Sequence, residues 1–527
     1  MSNISRRQFV MLMSTAAAGT AMAPMGLLQA RKAMAKGSGA NCNTASFSVD
    51  GFGPISAKLP ENTLELPDDL RNTALLELPD NFAYTAISIK GQKMSDGLTV
   101  PGDHDGMACF QGRRGNYILV RNHELNPNEE GKFPFNAPNG KQYDSFPGGG
   151  TSTVVVDRNG RLVEDYISLA GTIRNCAGGP AYWGSWISCE ENVTVPDPTD
   201  PDNVATKKHG YNFEVPSLLG EAVDPIPLVA MGRMNHEAVS VDPQSGYVYE
   251  TEDRGDSAYY KFVPKKKPNG FGDLQKGGDL YAMIIEPGQR SKCTGELLPT
   301  NTFEGTEVVD TRGLDREAPG SMLPFLGQPL KVKWVKLEDV DPEEDTLRLE
   351  AQAKGAAVFW RGEGAWYDRG KHYWVCSGAG DAGEGQVWCY DPKTETATMI
   401  VESTDEDLLD GPDNMTVARD GTIYLCEDGS SGEIGAPNYS QRVVGVDASG
   451  GLFDFAKNII PGNTSEFAGA CFSQDAKFMY VNSQGRGITY CIWRTDYRPI
   501  YLKAGFNDSF PAEDSRGKKP YRGREYR

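Results

Sequence analysis

The alternation of polar and apolar positions is clearest over residues 236–255. A polar pair, His236-Glu237, precedes the apolar run Ala238 to Val241. A turn follows at Asp242-Pro243-Gln244-Ser245-Gly246, where Pro presets one dihedral and Gly supplies another. A second run, Tyr247-Val248-Tyr249, leads into Glu250, Glu252 and Asp253. Two such runs around a Gly-containing turn predict a β-hairpin, which brings its two polar ends together at one sheet edge. The same order recurs at Glu363 to Cys376, at Asp413 to Asp428 and, more loosely, at Glu466 to Asn482. Two further strands end alike, at Arg121-Asn122-His123-Glu124 and at Ser188-Cys189-Glu190-Glu191. Six related strand ends constitute a weak internal repeat. Radially repeated sheets form propellers of four to eight blades around a central channel. The expected fold is therefore all-β, a six-bladed β-propeller whose hairpins aim their polar ends into one pocket.

The remaining pattern qualifies this. Helical periodicity is scarce, with one short helix expected over 402–409. Residues 195–211 and 264–278 read as inserted loops, and 312–350 as a longer rim or lid segment. Residues 59–78 are expected to wrap the outside. Residues 1–35 read as an address rather than as structure: Ser5-Arg6-Arg7-Gln8-Phe9-Val10 is a twin-arginine signature, an Ala- and Met-rich stretch follows, and Ala33-Met34-Ala35 offers a small-residue cleavage site. The apolar stretch is too short and too rich in Gly and Ala to make a membrane anchor. Residues 36–527 are expected to form a single catalytic domain, exported by the twin-arginine machinery to the periplasm or beyond.

Charge narrows the partners. Removing Arg6, Arg7, Arg31 and Lys32 leaves 49 basic against 72 acidic residues, a formal charge of −23. That excludes nucleic acid and anionic membranes as natural partners and favours a monomer. An anionic substrate would need cations or local Arg to reverse the field. None of the ten Cys forms a CxxC pair. Cys42 and Cys293, in loop-like sequence, are disulfide candidates, whereas Cys376, Cys389 and Cys426 read as buried small hydrophobes.

The hairpin ends gather an unusual set of oxygen donors, including Asn122, Glu124, Glu190, Glu191, Glu237, Glu250, Glu252, Asp253, Glu363, Asp413, Asn414, Glu427, Asp428 and Glu466. Close like charges repel by about 4 kcal/mol per pair at intermediate dielectric, so a bare cluster would not assemble. Carboxylates suit hard ions such as calcium. Cys189, directly ahead of two Glu, is expected to add a thiolate, which suits a transition metal, iron or zinc. Five His in the whole chain argue against a zinc site built from three histidines, and no Ser-His-Asp triad is evident. Arg361, two residues before Glu363, lies on the same side of an extended strand and would clamp an oxyanion; Arg254 and Asn122 are further substrate-binding candidates.

As a set, Cys189-Glu190-Glu191, Asn235-His236-Glu237-Ala238, Tyr249 to Gly255, Arg361-Gly362-Glu363-Gly364, Asp413-Asn414, Cys426 to Gly429 and Ser465 to Gly469 resemble the PhoX-type alkaline phosphatases, from about residue 121 to 493. The resemblance implies two ferric ions and several calcium ions joined by an oxo group, and hydrolysis of phosphomonoesters outside the cytoplasm. It makes Cys189 and Glu237 iron ligands, Glu363 a metal ligand and Arg361 the phosphate-binding arginine. Glu124, Glu190, Glu191, Glu252, Glu427 and Asp413 complete the expected metal set, with Arg361, Cys189 and Glu237 at the catalytic centre. Two other readings compete: a calcium-dependent propeller lactonase or esterase, which needs no thiolate, and a non-enzymatic binding propeller that uses calcium only for stability.

Overall fold

A computed structural model describes residues 47–303, 305–316, 318–429, 441–461 and 465–502. The twin-arginine segment and Cys42 lie outside them. Strands dominate, as the β-branched and aromatic runs dictate. Most fall into six antiparallel sets, taken here in chain order, while Thr300–Phe303 and Thr306–Val309 pair apart from them. The first contains His104–Gln111, Tyr117–His123, Gly149–Val156 and Leu162–Thr172; the second contains Asn175–Ala181, Ser185–Glu190 and Asn212–Pro216. The third runs His236–Val241, Val248–Glu252, Tyr260–Pro264, Gly278–Ile285, and the fourth Gly362–Asp368, Lys371–Cys376, Gln386–Asp391, Thr396–Glu402. The fifth runs Pro412–Val417, Ile423–Glu427, Arg442–Val446, Gly451–Asn458. The sixth is Phe467–Phe472, Phe478–Ser483 and Ile488–Arg494, completed by the early strand Phe82–Ile87. That last pairing ties the beginning of the described chain to its end.

The leading strand of each set packs against the leading strand of the next, and the sixth returns to the first. Large side chains fill the spaces between set faces. Tyr117, Leu119 and Val154 of the first set meet Cys471, Tyr480 and Cys491 of the sixth. Val375, Val387 and Val401 of the fourth meet Met415, Leu425 and Val444 of the fifth. The architecture is all-β and propeller-like.

Three expectations change. Residues 312–350 contribute more than a rim: their strand Leu330–Lys336 pairs with Gly278–Ile285 and with Thr396–Glu402, welding the third and fourth sets into one nine-stranded sheet. Residues 402–409 form no helix, because Glu402 ends a strand and a turn follows; among the described residues the only α-helix is Leu347–Ala353. Residues 59–78 are not merely wrapped around: Leu66, Leu70, Leu75, Leu76 and Leu78 are buried with Phe453 and Phe455, and Leu76–Pro79 extends the fifth sheet. Cys293 is disulfide-bonded, and the eight other described cysteines are free thiols. No described helix is long and apolar enough to cross a membrane.

Candidate metal centre

One backbone irregularity recurs in all six leading strands. Between His104 and Met107 three steps on the leading strand match two on its partner, His123 to Arg121. The same one-residue excess lies between Asn175 and Gly178, His236 and Val239, Gly362 and Ala365, Pro412 and Met415, and Ala468 and Cys471. Such bulges bend a strand and re-aim a side chain, and they cluster at sites. The two residues inside each bulge are Asp105-Gly106, Cys176-Ala177, Glu237-Ala238, Glu363-Gly364, Asp413-Asn414 and Gly469-Ala470. Five of the six thus place an ionisable side chain first and a small or compact residue second. Close approach explains the small residue: a Cβ on Gly106 would lie 2.5 Å from the Cα of Ala177, and one on Gly364 2.7 Å from the Asp413 carbonyl.

The bulged side chains converge. Donor atoms of Cys176, Glu191 and Glu237 lie within 4.8 Å of one another, as do those of Glu237, Glu363 and Asp413. Two more groups, Asp105 with Glu124 and Glu466, and Asp413 with Asp428 and Glu466, meet the same limit. Glu237, Asp413 and Glu466 are each shared between two groups, so the four form a continuous cluster. Burial, then repulsion from Glu363, Asp413 and Glu191, holds the Glu237 carboxyl well above the usual range. Burial and the charge of Glu124 push Glu191 up to about 8, and burial with Asp428 raises Asp413 to about 7. Oδ1 of Asp413 is buried without a donor. Protein donors reach only part of this cluster, Gln484 meeting Asp105 and Glu124 for example, and the crowded acids that remain suit cations. Carboxylate oxygens with one thiol fit hard cations beside one softer ion.

Two guanidiniums border it. Arg361 donates to Asp253 through Nε (2.8 Å) and a terminal nitrogen (3.1 Å), and the same terminal nitrogen lies 3.1 Å from Glu363. Glu363 also accepts from Ser377 at 2.8 Å. Arg174 pairs with Glu124 at 2.5 Å and with Glu191.

Not every residue expected here arrives. The thiol at the cluster is Cys176, not Cys189; Cys189 is wholly buried among Ile187, Met234 and Val239. Glu190 turns the other way and accepts from His209 (2.7 Å) and from the backbone of Ile173, Gly210 and Tyr211. Glu427 is held by Arg442 through two charge-assisted contacts, 2.6 and 2.9 Å. Glu252 accepts from Tyr260 at 2.7 Å and faces Arg348 at 3.6 Å. Pleating is the cause. Glu190, Glu252 and Glu427 lie directly opposite Asn175, His236 and Pro412 and point away from the axis. The next residues, Glu191, Asp253 and Asp428, point towards it. Asn122 donates to the carbonyls of Cys176 (3.1 Å) and Ala177 (2.6 Å) and accepts from Trp186 and Ser188, both at 2.9 Å. It clamps the neighbouring bulge rather than a substrate. Arg254 is committed to Asp345 at 2.8 Å. Conversely, Cys176, Asp105 and Arg174 escape the sequence reading, which followed strand ends. The signal for Cys176 and Asp105 was an ionisable residue before a Gly or Ala at the start of each leading strand.

A family model described as "Alkaline phosphatase PhoX" matches residues 62–165 and 159–487. Among solved structures, Pseudomonas fluorescens PhoX in complex with vanadate, a transition state analogue, is 16% identical with a TM-score of 0.60, over 87% of this chain and 99% of that one. A gluconolactonase from Xanthomonas campestris is 10% identical, covering 84% of this chain and 98% of that one, and its TM-score of 0.35 is too low to bear on function. No curated protein matches by sequence.

Proposed function

Since the chain belongs to the PhoX alkaline phosphatase family and is a phosphoric monoester hydrolase, we propose that it releases phosphate from small phosphomonoesters at a centre of iron and several calcium ions held by the bulge cluster. One observation carries this: the carboxylates of four bulged strands and of the strand ends beside them crowd within 4.8 Å in linked groups that their few donors do not neutralise, and an anchored arginine stands beside them. Cys176, Glu191 and Glu237 would hold the ion that prefers a thiolate, two ferric ions being the expectation. Glu363, Asp413, Asp105, Glu124, Glu466 and Asp428 would hold calcium or share ions with that set. The six strand sets are then six blades, and the bulges set the ligands around their axis.

Cations bound there supply the positive charge that phosphoryl transfer requires. The protein's part is positioning. Asp253 fixes the Arg361 guanidinium in two places, and Glu363 orients the same terminal nitrogen. The side chain remains 42% exposed, so its remaining N–H groups would meet phosphoryl oxygens at the mouth of the site. Ser377 restrains Glu363, and Thr251 holds the Glu363 backbone carbonyl at 2.5 Å, which keeps the bulge from relaxing. Export through the twin-arginine pathway, which carries folded proteins, suits a chain that loads metal before leaving the cytoplasm.

The test pairs elemental analysis of the purified protein with turnover of a chromogenic phosphate monoester at alkaline pH. Iron and calcium with turnover are expected. A protein that binds both and hydrolyses lactones but no phosphate ester would overturn the proposal.

A further inference from the structure

The residue two places before four of the five ionisable bulged residues has its own geometry, Asn235 ahead of Glu237 being the exception. Asp103, Arg174, Arg361 and Gly411 precede Asp105, Cys176, Glu363 and Asp413, and their φ values are +40°, +48°, +46° and +54°. This left-handed region suits glycine, which Gly411 supplies, and strains any residue with a Cβ. Strained residues of this kind persist where surroundings over-determine them, and they concentrate at functional positions. Arg174 and Arg361 are therefore the same structural position in the second and fourth sets.

Their surroundings match as well. Arg361 is held between Asp253 and Glu363; Arg174 is held between Glu124 and Glu191. Side-chain exposure is 42% for Arg361 and 34% for Arg174, so each keeps part of its guanidinium open. Each touches a carboxylate whose donor atoms lie within 4.8 Å of Glu237, through Glu363 and Glu191 respectively. Sequence alone singles out Arg361 because Gly362 and Glu363 follow it, while Arg174 stands ahead of a cysteine.

We propose that Arg174 is a second oxyanion-binding arginine, gripping the phosphoryl group across Glu237 from Arg361. This rests on the phosphatase reading above. Two planar forks on opposite sides would hold the oxygens of one tetrahedral anion, and they would help offset the acidic field that otherwise repels it.

The experiment uses the full, metal-loaded protein and inorganic phosphate as probe. Arg174→Gln, Arg174→Lys and Arg361→Gln are compared with the wild type for phosphate affinity by calorimetry, KM and kcat for a monoester, and iron and calcium content. Loss of a charge-assisted pair predicts about 10- to 100-fold weaker phosphate binding in Arg174→Gln, with a comparable rise in KM. Arg174→Lys should regain part of that affinity, because it keeps the charge without the fork. Wild-type phosphate affinity in Arg174→Gln would overturn the inference. If Arg174→Gln loses metal, Arg174→Lys decides: full metal with unchanged phosphate affinity means a structural counter-ion and overturns the inference, while weakened affinity supports it. A wild type that neither binds phosphate nor hydrolyses the monoester removes the phosphatase reading and this one together; a normal wild type matched by both Arg174 variants removes this one alone.

Discussion

Two rows of acids lie side by side at the ends of the second strands. Glu190, Glu252 and Glu427 are buried and partnered: backbone amides and His209, Tyr260 and Arg348, and Arg442 meet them. Their immediate successors, Glu191, Asp253 and Asp428, face the axis, where the bulged Glu237, Glu363 and Asp413 add further charge. Both rows are acidic and adjacent in sequence, yet members of the first stand apart from one another, each with its own protein partner, while Glu191 and Asp428 of the second crowd with the bulged acids within 4.8 Å. Separate partnering stabilises a fold, while crowding of like charges prepares a site for cations.

The comparison breaks most visibly at Glu237, which two donor groups share. Glu237→Ala should lower turnover by more than about a hundredfold, beyond the loss typical of outer-shell partners of a metal, and should cut bound iron; assay and elemental analysis check this together. Cys176→Ala should likewise remove iron and the visible absorbance of a thiolate-bound ferric centre, whereas Cys189→Ala should keep both. An equal spectral loss in the two would erase the distinction between them.

On the partnered row, Glu427→Gln removes the nearer and more buried of the two carboxylates that meet Arg442, leaving Asp454 at 3.2 Å, and only 14% of the Arg442 side chain is exposed. Breaking a buried pair costs about 3–5 kcal/mol, so the melting temperature should fall clearly while each folded molecule keeps its turnover and metal. Loss of metal at unchanged melting temperature would move Glu427 to the axial row.

pH sharpens the same contrast in the metal-stripped protein. Asp413 and Glu191 are raised to about 7 and about 8, above the ordinary carboxylate range near 4 that applies when unfolded. Between those values the folded state binds more protons than the unfolded one, so stability present at acid pH is lost as pH rises through about 7 to 8. Thermal unfolding of chelated protein from pH 5 to 9 should show that decline. Added calcium should reverse it most at high pH, because the ion takes the deprotonated ligands. The smallest effect is expected at Cys189→Ala, about 1 kcal/mol of packing without catalytic change.

Much of this is legible in the sequence. Period-2 apolar runs and Gly-containing turns determined an all-β repeat, and acids at hairpin ends determined a multi-carboxylate site with Glu237, Glu363, Asp413, Glu191 and Glu124 in it. Arg361 is singled out by its spacing to Glu363, but the extended strand assumed there is absent: Arg361 sits at φ +46° ahead of a bulge. What the linear pattern left undecided was direction. A strand alternates faces at every residue, so Glu190 and Glu191 differ only in which side of the pleat they occupy. That side is set by register and by a one-residue bulge, and both are fixed by pairing with distant strands. For this reason Cys176 rather than Cys189 reaches the axis, and Arg174 emerges as the counterpart of Arg361. Residue types established which chemistry was available; the tertiary structure decided which atoms share it, because only the closed ring of leading strands brings those bulges face to face.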